Sequence, residues 1–85
     1  MNEDSLYKTK DVGEAAALLT QKQILIKTEQ ENGAVWFYFS NSNDCTQSIQ
    51  EFWQHSLMVD AQDYFHSINR IKQIIYERKK YARPA

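Results

Sequence analysis

Eighty-five residues, 42% hydrophobic and 13% aromatic with two Gly and one Pro, have the composition of one globular domain and exclude a disordered chain. A lone cysteine, Cys45, excludes an internal disulfide and any Cys-x-x-Cys metal site and reads as a reducing, cytoplasmic setting, while no run approaches the ~20 apolar residues of a membrane span. Net charge is −1, but residues 1–69 hold four basic and ten acidic side chains and residues 70–85 hold six basic and one acidic; such asymmetry marks either cations gathered at a helix C-terminus or a basic tail that meets a polyanion or an acidic protein.

In chain order, residues 1–5 read as a frayed polar terminus with no apolar leader, 6–81 as a single α+β domain and 82–85 as a tail. LYKTK (6–10) is a short extended segment. Thr9 or Asp11 then opens a helix, Asp11 and Glu14 having capping-box spacing, with Val12, Ala15, Ala16 and Leu19 on one narrow apolar face and an end near Thr20. QILIKT (23–28) and AVWFYFS (34–40) read as strands joined by EQENG, where Asn32-Gly33 supplies the positive φ of a tight hairpin. A second helix is predicted over roughly 44–56, with Cys45, Ile49, Phe52 and Trp53 on one side. Asp60 caps a last helix over about 61–81, whose Ala61, Tyr64, Phe65, Ile68, Ile71 and Ile75 share one face. The expected architecture is a small antiparallel sheet with helices packed on it, in the order β-α-β-β-α-α.

The aromatic run Trp36-Phe37-Tyr38-Phe39 poses the functional question, because strand side chains alternate between faces. Val35, Phe37 and Phe39 are the better core face, joined from the partner strand by Ile24 and Ile26; Trp36, Tyr38 and Leu25 are then left outside. Three coverings are open: the last helix, a second copy of the chain, or an external ligand.

Residues for chemistry are sparse. His55 and His66 lack the spacing of a helical zinc site, a Cys45–His55 nucleophile pair has no support in sequence, and two glycines twenty residues apart make no phosphate loop. Asp60 and Asp63 fit helix capping. No catalytic residue, metal site or cofactor is expected, and the chain reads as a non-enzyme.

YKTKD (7–11), the short Ala/Leu helix, the aromatic hairpin strand, EFW (51–53) and VDAQDYFHSINRIKQIIYER (59–78) together resemble a family of small bacterial and mobile-element domains catalogued only as a domain of unknown function. The resemblance spans about residues 6–78 and implies kinship of fold, with no activity to carry over. Trp53 and Gln54 depart from its pattern. The aromatic strand is also loosely similar to the stacking strand of RNA-recognition sheets, although a long helix stands where their fourth strand would be. A helix-turn-helix is excluded, because a strand follows the first helix.

Two functional expectations follow. The first is a non-catalytic protein-interaction module, an accessory or inhibitory factor of phage or mobile-element kind and a candidate homodimer, that occupies a partner's surface through Trp36, Tyr38, Ile74 and Tyr81. Ile74 and Tyr81 are placed off the main apolar face of the last helix, and Lys72 near the middle of its apolar arc. The alternative is single-stranded nucleic-acid binding, with Trp36 and Tyr38 stacking bases and Lys72, Arg78, Lys79, Lys80 and Arg83 meeting phosphates. No membrane partner is expected.

Overall fold

The computed structural model describes the backbone of residues 5–82 and the side chains of residues 5–79. The expected terminus 1–5 and tail 82–85 therefore fall almost wholly outside the described residues, as do Arg83 and the side chains of Lys80 and Tyr81. The elements are β1 (Tyr7–Thr9), α1 (Val12–Thr20), β2 (Leu25–Glu31), β3 (Ala34–Phe39), α2 (Ser42–Trp53) and α3 (Ala61–Ala82). This is the predicted order. The three strands form one antiparallel sheet, β1-β3-β2, with the aromatic strand in the centre.

The hairpin is tighter than expected. Asn32 (φ 52°) and Gly33 (φ 81°) alone make the turn, and Glu31 pairs with Ala34. Both turn residues take the left-handed backbone that a two-residue hairpin requires. The ladder consequently extends through Glu29, Gln30 and Glu31, which sequence reading left in the loop. Polar side chains there do not oppose strand formation, because all three are exposed.

β2 presents the opposite residues to the core from those expected. Ile24 is 62% exposed and Ile26 50%, whereas Leu25 packs against the core. The register explains it: Leu25 pairs with Phe39 and Thr28 with Phe37, and the shift between Leu25 and Lys27 leaves Ile26 as the extra residue of a bulge. A bulge resets the two-residue alternation, so Leu25 and Thr28 share a face although they are three apart.

Asp11 caps α1, its carboxylate accepting from the Glu14 N–H at 2.9 Å. The reciprocal half of the capping box is absent; Thr9 Oγ1 accepts from the Asp11 N–H instead. α1 is buried through four consecutive residues, Ala15, Ala16, Ala17 and Leu18, rather than along one narrow face. It packs against both α2 and α3, and its alanines let these neighbours approach. Gly13 marks the closest approach: a Cβ there would lie 3.2 Å from the Phe52 ring and 3.4 Å from the Tyr64 hydroxyl.

α1 and α2 end alike. Lys22 (φ 68°) and His55 (φ 65°) adopt the left-handed conformation just past each helix. The N–H groups of Gln23 and Ser56 bond back to the carbonyls of Leu18 and Glu51, and those of Lys22 and His55 to Leu19 and Phe52. This paired closure satisfies the last carbonyls and stops α2 at Trp53, three residues before the predicted end.

Asp60 caps α3 as expected, accepting from the Asp63 N–H at 2.9 Å. The inward face is rotated from the predicted one. It is centred on the fully buried Ile71 and includes Tyr64, Ile68, Ile74 and Ile75. Ile74 therefore belongs to the core side, while Ala61, Phe65 (60% exposed) and Lys72 point to solvent. Ile71 joins Phe37, Phe39, Val35, Leu18, Cys45 and Ile49 in one core, so all three helices lie on the Phe37 side of the sheet.

Candidate interaction surface

Among the described residues, the opposite side of the sheet carries no helix. On β3, Trp36 and Tyr38 alternate with the buried Val35, Phe37 and Phe39 and point outward, half-buried. What covers them is a set of lysine side chains. Lys8 of β1 pairs with Tyr38 in register and places its ammonium 4.6 Å from the centre of the Trp36 ring and 5.7 Å from that of Tyr38. Lys10 stands 5.5 Å from Trp36 and Lys27 of β2 4.8 Å from Tyr38. Each cation sits against the negative face of a ring, worth about 0.5–1 kcal/mol at an exposed site, and its methylene stem shields part of the aromatic surface. Neither the last helix nor a second subunit is needed to explain the half-burial.

Acidic residues frame this group. Tyr38 donates its hydroxyl to Glu29 Oε1 at 3.1 Å, and Lys27 binds Glu29 Oε2 at 3.1 Å. Lys27 first, and Tyr38 second, hold the Glu29 carboxyl below the usual range. Lys8 approaches Glu31 at 3.9 Å between two exposed side chains. The surface is thus an aromatic pair within a ring of mixed charge.

A second cluster sits where β1, α1 and α2 meet. Glu14 accepts hydrogen bonds from Thr9 Oγ1 (2.7 Å) and Tyr7 OH (3.2 Å) through Oε1, and from the Trp53 indole N–H (2.6 Å) through Oε2. Burial, then the Glu14 charge, pushes the Tyr7 hydroxyl up to about 12. Trp53, placed on one side of α2 with Cys45, Ile49 and Phe52, is 57% exposed; it stands edge-on to Phe52 at 5.0 Å and clamps Glu14. Tyr7, Thr46, Ile49, Gln50, Trp53 and Gln54 line a shallow groove of about 450 Å³ beside it.

The remaining predicted residues are dispersed. Lys72 and Lys79 are exposed on α3, on the far side of the sheet from Trp36 and Tyr38. Arg78 donates through Nη2 to the Thr28 carbonyl at 3.1 Å, at the β2 edge. Among the described side chains, Lys72, Arg78 and Lys79 therefore do not join the aromatic pair in one nucleic-acid track. Ile74, packed on the core, cannot share a surface with Trp36. Cys45 is buried, donates to the Ser40 carbonyl at 3.3 Å, and is pushed up to about 11 by burial and then by Asp44. His55 lies at the other end of α2, roughly 15 Å away at 1.5 Å per residue. Among the described residues no cluster of three or more His, Cys, Asp or Glu is placed to hold a metal ion, and no helix is long and apolar enough to cross a membrane.

Lys8, Lys10 and Lys27 were missed by sequence reading, although Lys8 alternates between the inward Tyr7 and Thr9 and so signals its own face. Lys27 falls on the outer face by the same alternation that put Ile24 and Ile26 inward, yet was not taken as a site residue, and Glu14 was hidden by its capping-box spacing.

Comparison with known proteins gives a match to the family model described as "Domain of unknown function (DUF5659)", over residues 4–77. No curated protein and no solved structure matches the chain.

Proposed function

The chain belongs to the DUF5659 family, and we propose that it is a non-catalytic protein-interaction module whose working surface is the open face of its sheet. The observation that carries this reading is the placement of Trp36 and Tyr38 side by side on the central strand, on the face that no described helix covers, within a rim of Lys8, Lys10, Lys27, Glu29 and Glu31. Binding energy at protein interfaces concentrates in central Trp and Tyr side chains surrounded by a polar rim. A rim of both signs suits a partner of mixed charge better than a polyanion. The protein would act by occupying a partner's surface, as an accessory or inhibitory factor in the cytoplasm; the buried, unpaired Cys45 thiol is in keeping with a reducing compartment.

The test is retention of protein partners on immobilised wild type and on Trp36→Ala and Tyr38→Ala variants, with far-UV circular dichroism as the control for folding. Loss of the same partners in both variants, with spectra unchanged, supports the reading; retention in both overturns it.

A second reading has its own observation. Three lysine ammoniums lie over the two rings, and a single strand whose bases stack on Trp36 and Tyr38 would find these cations for its phosphates. Salt separates the two readings. Quenching of Trp36 by an oligonucleotide would weaken steeply from low to physiological salt, and Lys8→Ala would reduce the salt slope, whereas a protein contact would not follow this pattern.

A further inference from the structure

β2 forms an outer edge of the sheet, with no strand beyond it among the described residues. Because the Glu31–Ala34 pair closes a two-residue turn, the peptide groups of Glu31, Glu29 and Lys27 face β3, and those of Thr28 and Gln30 face outward. Arg78 agrees with this, reaching the Thr28 carbonyl at 3.1 Å. A seven-residue edge with outward groups is a template for another strand. We propose that this edge pairs with β2 of a second copy of the chain, antiparallel and centred on Thr28, to give a two-fold dimer with a continuous six-stranded sheet.

Charge order along β2 selects both the occupant and the register. A two-fold interface must be complementary to itself. Pairing about Thr28 sets Lys27 of each copy directly opposite Glu29 of the other, with Ile26 facing Gln30 and Thr28 facing Thr28. Pairing about Glu29 would oppose two Glu29 carboxylates, and pairing about Gln30 would oppose Glu29 to Glu31. Like charges directly opposite each other destabilise a strand pair, whereas opposite charges support it. The Thr28 register alone, of these three, satisfies the rule. Joined in this way, the two copies would carry both Trp36–Tyr38 pairs on one side of the shared sheet. Arg78 must release the Thr28 carbonyl first, so it acts as a stop on pairing.

The experiment is sedimentation velocity over a concentration series reaching about 1 mM, the range of weak association. The wild type should dimerise with rising concentration. Lys27→Glu and Glu29→Lys, which each create two like-charge oppositions, should each raise the dimer Kd at least about tenfold. An equimolar mixture of these two variants should recover the dimer, because every substituted position then meets an opposite charge. Arg78→Ala should tighten the dimer several-fold, and this variant decides the matter where a charge reversal fails to fold. A wild type that stays monomeric, a dimer indifferent to both reversals, a mixture that fails to recover, or an Arg78→Ala variant without tightening overturns the proposal. So does a dimer lost in Trp36→Ala but kept in the reversals, which would place the contact face to face.

Discussion

Glu14 ties three elements together with one carboxylate. It stands in the first turn of α1, where the Asp11 cap fixes its backbone, and takes two hydroxyl donors from β1 and an indole donor from α2. Removing an acceptor leaves donors that must find water, and the half-buried Tyr7 and nearly buried Thr9 have limited access to it. Glu14→Ala should therefore cost about 1–3 kcal/mol in urea unfolding, with a change in Trp53 emission in the folded state. Glu14→Gln, which keeps an acceptor oxygen for one group of donors, should cost less. An alanine variant as stable as the wild type would mean that the cluster is solvated and contributes nothing. The sequence hid this role because Asp-x-x-Glu spacing is what a capping box also requires, and only the packing of α2 against β1 and α1 brings Trp53 to the other oxygen.

At the scale of elements, sequence reading located every described helix and strand but misassigned the inward faces of α3 and β2. Periodicity in the last helix was read from Ile68 and Ile75, and the wide spread of isoleucines let Phe65 and Lys72 fall within the same arc. The true stripe, Tyr64, Ile68, Ile71, Ile74 and Ile75, is centred one position further round because α3 must lie against α1, where Ser67 meets Thr20 at 2.9 Å. The β2 error has a different cause. Strict alternation of Ile24, Leu25 and Ile26 gave the choice to the two isoleucines, and no signal in one strand announces a bulge that depends on the register of its partner. The two assignments differ measurably. With Leu25 on the core and Ile26 at the bulge, Leu25→Ala should cost about 1–3 kcal/mol, while Ile26→Ser should stay within about 0.5 kcal/mol. The reverse order in chemical denaturation would restore the original face.

The whole molecule is two-sided, and that division separates stability from recognition. Every described helix packs against the Val35, Phe37 and Phe39 face, and among the described residues the rings on the other face of the same strand meet the lysines Lys8, Lys10 and Lys27. Adjacent residues on β3 should then behave as if they belonged to different proteins. Phe37 is fully buried at the centre of the core, and truncating such a ring costs about 3–5 kcal/mol. A domain of this length has a total stability of about 4–13 kcal/mol, so Phe37→Ala should lower the midpoint of thermal unfolding severely or abolish folding. Trp36→Ala removes a half-buried ring and its contacts with Lys8 and Lys10, for which about 1 kcal/mol is the expected loss. Paired thermal melts of the two variants read this directly. Comparable losses would mean that Trp36 is structural, and the open face would then be a second core surface rather than a place for a partner. A large loss at Phe37 with a small one at Trp36 leaves an indole, held out by lysines on a stable sheet, whose retention the fold itself does not require.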